Sequence, residues 1–207
     1  MHELNFPFSA YAKKMKMELS ALENLKLPEP LHLKIDWTML DNISTTNEWN
    51  KIQPFGELYR LKSNPAIYYF EIDESKAEEI FASFTNCKKN SSQIRRESGV
   101  KEKNFYNLCH VPKKFQKSPC LYAGSVKRDL YTRLKQHLGY AKSGRTGALH
   151  LKRVFGSLVP YPAIDFRAYI FNKSMSNLTE HIELVVQTTL NPILGLKAFK
   201  YNPLSSP

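Results

Sequence analysis

A chain of 207 residues is long enough for one domain with a proper core, or for such a domain carrying a helical annex. Its 42% apolar and 12% aromatic residues exclude a disordered chain, and no apolar run approaches the length of a membrane span. The formal charge is +11, with 30 Lys and Arg against 19 Asp and Glu. A polyanion offsets the self-repulsion of such a chain, so nucleic acid is the leading partner and an anionic membrane surface the next.

The amino terminus, with Glu3 and no apolar segment, does not read as a signal peptide, so the expected compartment is the cytoplasm. Residues 10–27 set Ala10, Leu19, Leu22 and Leu25 among Lys and Glu, a pattern that predicts a helix ending before Pro28 and Pro30. The segment from Leu31 to Trp37 reads as a short strand or a loop. Asn42 to Asn50, rich in Ser, Thr and Asn, reads as a turn or a helix start, and Trp49, Ile52 and Phe55 are expected on the main core. Residues 1–65 hold eight basic and eight acidic side chains, a balance that marks residues 1–60 as a structural, mainly helical annex to a domain spanning 61–207. The net charge therefore lies in residues 66–207, and between Lys88 and Arg153 seventeen basic residues face three acidic ones.

Pro65 to Ile72 is the clearest strand, buried on both sides with one tyrosine directed outward. Ser75 to Phe84 follows as a helix with an Ala77, Ile80, Phe81 and Phe84 stripe, capped by Ser75 or Asp73. Cys87 to Lys117 is a long basic passage, expected to be partly mobile without its ligand, whose Phe105, Tyr106 and Phe115 suit stacking on bases as well as packing. Cys87, Cys109 and Cys120 are odd in number and irregularly spaced, which fits reduced thiols. Leu121 to Ser125 is a second strand, and Leu130, Leu134 and Leu138 give the helix behind it an apolar stripe. Ala148 to Val154 reads as a short helix, Ile164 to Phe171 as a third strand, and Leu178, Ile182, Val185, Val186 and Thr189 as one face of a last helix that stops at Asn191-Pro192.

Chemistry gathers around the second strand. Gly124 permits a sharp turn or a close backbone approach, and Arg133 and His137, four residues apart, share a second face of the following helix. A guanidinium, an imidazole and the Tyr122 phenol converging at a strand-to-helix turn suit the holding and cutting of a phosphodiester. Such a pair at helical spacing is also what an ordinary solvated face presents. Two carboxylates compete in the last helix. Asn177-Leu178-Thr179-Glu180 fits a capping arrangement in which Glu180 returns to the first turn, whereas Glu183 flanks the buried stripe and is the better placed to look into a cleft. Ser125, Lys127, Arg128, Lys113, Lys114, Arg145, Lys152 and Arg153 are candidate contacts to nucleic acid.

Ala66-Ile67-Tyr68, Tyr122-Ala123-Gly124-Ser125, Arg133 with His137, and an acidic helix ending in Asn191-Pro192 together resemble the GIY-YIG nuclease family over roughly residues 65–195. The resemblance implies an α+β fold with a small three-stranded antiparallel sheet flanked by helices. It also implies a single-metal site that hydrolyses DNA, most readily double-stranded, with one Mg²⁺ or Mn²⁺ per site. Carried over residue by residue, it makes Tyr68 and Tyr122 the motif tyrosines, Arg133 the motif arginine, His137 the motif histidine and Glu183 the metal-binding glutamate. His150 is a secondary candidate, as is Glu180. Gly195 stands where the family has an asparagine, which leaves Asn191 as a displaced substitute. Ala66 and Ala123 replace a glycine and an isoleucine of the motifs. The family sets its two tyrosine motifs close together, whereas here they are 54 residues apart, so Glu71 to Pro119 reads as a basic, substrate-gripping insertion. The expected roles are Glu183 holding the metal, Arg133 binding the phosphate, and Tyr122 or Tyr68 activating water with its proton passed to His137. The alternative function is a nucleic-acid-binding module that keeps this scaffold without catalysis. A monomer with one such site nicks one strand, so double-strand cleavage implies a dimer or sequential action.

Overall fold

The computed structural model describes residues 8–43, 45–98, 107–141, 147–156 and 160–195. Helix α1 (Phe8–Glu23) precedes the short strand β1 (Leu31–Lys34), and three short helices follow: α2 (Trp37–Asp41), α3 (Thr46–Lys51) and α4 (Phe55–Arg60). Next come β2 (Ala66–Ile72), α5 (Ala77–Ser98), β3 (Cys120–Val126), α6 (Leu130–Leu138), α7 (Leu151–Val154), β4 (Ile164–Ile170) and α8 (Thr179–Leu190). The four strands form one antiparallel sheet in the order β1-β4-β2-β3. An α+β fold is therefore correct, but the expectation of three strands is not. The added edge strand is Leu31–Lys34, which pairs with β4 from Leu31 opposite Ala168 to Lys34 opposite Asp165. Only Leu33 of β1 is buried, so its four residues carry too little alternation to be told from a loop by pattern alone.

β2 runs through the middle of the sheet, where its β-branched and aromatic residues are hydrogen-bonded to strands on both sides. Every residue of it except Glu71 is buried, Tyr69 included, so no tyrosine points out to solvent as the sequence suggested. The reason is α8, which packs across β3 and β2 on that face. On the other face Tyr68, Phe70, Leu121 and Phe166 join Phe84 of α5, Leu134 and Leu138 of α6 and Phe155 in the main core. Trp37, Leu40, Trp49, Phe55 and Leu58 belong to the same cluster, so the amino-terminal segment packs onto the core, as Trp49 and Phe55 were expected to do.

The helix after β2 is longer than its apolar stripe. Asp73 accepts a hydrogen bond from the Ser75 amide at 2.9 Å, a 3₁₀ turn spans Glu74–Lys76, and α5 then continues to Ser98 through residues that sequence reading placed in a mobile passage. Beyond Asn86 the stripe gives way to Lys, Asn and Ser, so the periodic signal fades while the helix does not. Phe115 packs on Phe81 with ring centroids 5.4 Å apart, an internal contact. Phe105, Tyr106 and Arg145 lie outside the described residues. Among the described residues no helix is long and apolar enough to cross a membrane.

Candidate functional site

The site begins with strand register. In β2, Tyr68 lies opposite Gly124 on one side and Ala168 on the other, so two small neighbours leave room for its phenol. Gly124 has an ordinary backbone conformation, but a Cβ there would meet Tyr122 Cε1 at 2.9 Å and the Tyr68 and Tyr122 hydroxyls at 3.0 and 3.1 Å. Its glycine is required by close approach.

Asp129 caps α6 in the left-handed conformation (φ 63°), with its carboxylate accepting from the Thr132 amide at 3.1 Å. The helix then buries its leucine stripe, and His137 with it, against the sheet. Arg133 Nε donates to the Tyr68 hydroxyl oxygen at 3.1 Å, and His137 Nε2 lies 2.9 Å from the same oxygen. The amide of Leu149 donates to His137 Nδ1 at 3.2 Å. That bond leaves the ring proton on Nε2, so the neutral imidazole donates to Tyr68. The remaining guanidinium nitrogens of Arg133 reach Gln136 Oε1 at 3.2 Å and the Gly147 carbonyl at 2.5 Å, and the group also hydrogen-bonds Tyr122. The Tyr68 and Tyr122 rings stack with centroids 6.3 Å apart, and the Tyr122 and His137 centroids are separated by 4.9 Å.

The electrostatics follow from burial. Desolvation pushes the pKa of Tyr68 well up and that of Tyr122 up, with Arg133 pulling both back down. Desolvation, then the charge of Arg133 and then His150, holds His137 well below the usual imidazole range. The imidazole is therefore neutral.

Across β3, the half-buried Glu183 presents its carboxylate to Ser125 and Gln187. The Ser125 hydroxyl donates to Oε2 in a short bond, and Gln187 Nε2 donates to Oε1 at 2.8 Å and to the Ala123 carbonyl at 3.3 Å. Desolvation raises the pKa of Glu183, against the lowering effects of Ser125 and Arg133. Glu180 points elsewhere. Its exposed carboxylate pairs with Lys127 at 2.9 Å, and the first turn of α8 has no side-chain cap, so the capping arrangement expected from sequence is absent. Thr179 Oγ1 instead donates to the Ser176 carbonyl at 2.6 Å.

Tyr122, Glu183 and Gln187 form one wall of a cleft of about 410 Å³, faced by Lys88, His110 and Gly147. The far wall is built from loops joined by their backbones. Leu194 N donates to the Leu121 carbonyl, Gly195 N to the His110 carbonyl and Cys109 N to the Ala148 carbonyl, each at 2.9 Å. Tyr68, fully buried, does not line this cleft. Neither does His150, which is buried at the start of α7 with φ 49°, nor Asn191, which ends α8 with φ 48°.

The fold therefore brings Tyr68, Tyr122, Arg133 and His137 into one hydrogen-bonded group, with Glu183 beside it on the cleft. Of the candidate nucleic-acid contacts, Ser125 holds Glu183, and Lys113, Lys114, Arg128 and Arg153 are exposed. Lys152 is instead committed internally, to Asp41 at 2.6 Å and over the Tyr140 ring at 4.7 Å. Gln187, Lys88 and His110 escaped sequence reading. Gln187 stands four residues after Glu183 on the same helix, a spacing that could have flagged it, whereas Lys88 and His110 reach the cleft only through the tertiary fold.

Among the described residues Glu183 is the one carboxylate on this cleft, and no group of three or more His, Cys, Asp or Glu suited to a metal occurs among them. That donor set fits Mg²⁺ or Mn²⁺, because Mg²⁺ keeps several waters and takes one or two carboxylates together with substrate phosphates. Comparison with family models, curated proteins and solved structures returned no match for this chain.

Proposed function

We propose that the protein is a metal-dependent endonuclease that hydrolyses phosphodiester bonds in double-stranded DNA, of the kind its tyrosine motifs resemble. One observation carries the reading: two phenols, an imidazole and a guanidinium are tied together beside a half-buried carboxylate at the edge of an open cleft. A fold that needed only to bind nucleic acid has no use for a desolvated carboxylate where phosphate must approach.

In this mechanism Tyr122, the phenol on the cleft, orients the attacking water. The Arg133 charge beside its oxygen favours the phenolate, opposing the rise that burial causes. The phenol gives its proton to solvent in the open cleft, and the phenolate then takes the proton of the attacking water. Tyr68 and His137 are positioning residues. His137 donates to Tyr68, so the imidazole fixes the phenol cluster in place of taking a proton from it. Ser125 and Gln187 hold the Glu183 carboxylate in one orientation. Glu183 would hold Mg²⁺ or Mn²⁺, which when bound would supply a Lewis acid for the scissile phosphate.

The test is supercoiled plasmid with and without Mg²⁺ or Mn²⁺. Metal-dependent nicking is expected, and Glu183→Ala and Arg133→Ala should each lower its rate on the order of a hundredfold or more while remaining folded. Salt-sensitive binding with no cutting under any metal would move the assignment to a non-catalytic binding module.

A further inference from the structure

In the nuclease reading a metal held by Glu183 would meet the scissile phosphate, and the neighbouring backbone phosphates call for a side-chain cation on the cleft. The resemblance gives that task to Arg133, yet the Arg133 guanidinium is turned inward onto Tyr68, Gln136 and the Gly147 carbonyl. Among the described residues that line the cleft, Lys88 is the one Lys or Arg. It projects from α5, inside the insertion between the two tyrosine motifs, and its Nζ lies 3.5 Å from the Val111 carbonyl, in the loop that carries His110. His110 lines the same wall, and its own carbonyl is fixed by the Gly195 amide at 2.9 Å.

We propose that the insertion completes the substrate cleft, with Lys88 as its phosphate-binding cation and His110 as a neighbouring hydrogen-bond donor to the same sugar-phosphate backbone. The proposal rests on the nuclease reading for what lies across the cleft, but its contact is to backbone phosphate and so is independent of DNA sequence. Arg133 then acts through the phenols it holds, and the insertion supplies the grip that the inward-facing arginine does not.

The test is binding of a fluorescein-labelled duplex oligonucleotide of mixed sequence in EDTA, followed by anisotropy over a range of salt. Lys88 and His110 are exposed, so substitution there should leave the thermal midpoint unchanged. Lys88→Ala is expected to weaken binding by about tenfold and to reduce the slope of log K against log salt by about one, with His110→Ala weakening it further in the double variant. Lys88→Arg should restore both. Lys173→Ala, at an exposed site off the cleft, is the control for general charge. Plasmid nicking at subsaturating DNA should fall by the same factor as affinity. If Lys88→Ala binds with the same affinity and salt slope as Lys173→Ala, the proposal is overturned, whatever the plasmid assay gives. If the native protein never nicks while Lys88→Ala still loses its grip, the nuclease reading fails and the phosphate contact stands.

Discussion

At Gly124 a single hydrogen atom keeps the two phenols of the candidate site in place. A methyl group there would stand 3.0 and 3.1 Å from the two hydroxyl oxygens and 2.9 Å from a ring carbon of Tyr122, closer than carbon tolerates. Both phenols are also held by Arg133, so neither moves without breaking a charge-assisted bond. Gly124→Ala is therefore expected to cost about 1–3 kcal/mol of stability and to lower nicking by at least about tenfold, read by urea midpoint and plasmid assay. A variant with native stability and native rate would mean that the rings yield freely. The Glu183 carboxylate is governed by the same kind of neighbour. Removing one of its two supports, as in Ser125→Ala or Gln187→Ala, should raise the Mg²⁺ needed for half-maximal nicking by about tenfold, while saturating Mg²⁺ recovers most of the rate. An unchanged metal titration would show that neither side chain orients the carboxylate.

At the scale of elements, the legible parts were those in which one period ran long enough to be counted. β2 and α6 declared themselves, and the four-residue step from Arg133 to His137 placed both on the face that meets Tyr68. Sequence could not say that this face is the buried one, because that depends on Leu149 and Gly147 arriving from a later loop. β1 was missed as a certain strand since only its pairing with β4 defines it. Glu180 fitted a capping pattern that Lys127, brought alongside by β3, outcompetes. A capping box does form at α3. Thr45 Oγ1 accepts from the Glu48 amide at 3.3 Å, and Glu48 Oε2 accepts from the Thr45 amide at 2.8 Å. That helix seats Trp49 against Phe55 and Tyr140, with centroids 4.7 and 5.1 Å away, beyond the end of α6 and away from the cleft. Thr45→Ala should accordingly cost about 1 kcal/mol in a urea titration and leave nicking at the native rate. Loss of activity at native stability would make the amino-terminal segment part of the site.

The whole molecule carries a consequence of burying two imidazoles next to cations. His137 is fully buried against Arg133, and His150 is 1% exposed, its pKa lowered to about 4 by desolvation first and by the charge of Arg153 next. In the unfolded chain both imidazoles titrate near the ordinary value of about 6.5. Between that pH and about 4, the unfolded state therefore takes up protons that the folded state at His150 refuses. Stability is full above the unfolded value and falls as pH drops through this window, by up to about 3 kcal/mol for His150, and His137 adds a loss of the same sign. The substitution suited to the test is His150→Asn, because asparagine tolerates the left-handed backbone at φ 49° and serves at a helix start. Urea midpoints measured from neutral to acidic pH should fall steeply for the native protein and more gently for His150→Asn, with the two curves converging as acid is added. Parallel curves would mean that His150 gains its proton within the fold, and that the shielding which keeps the phenol cluster neutral does not extend to α7.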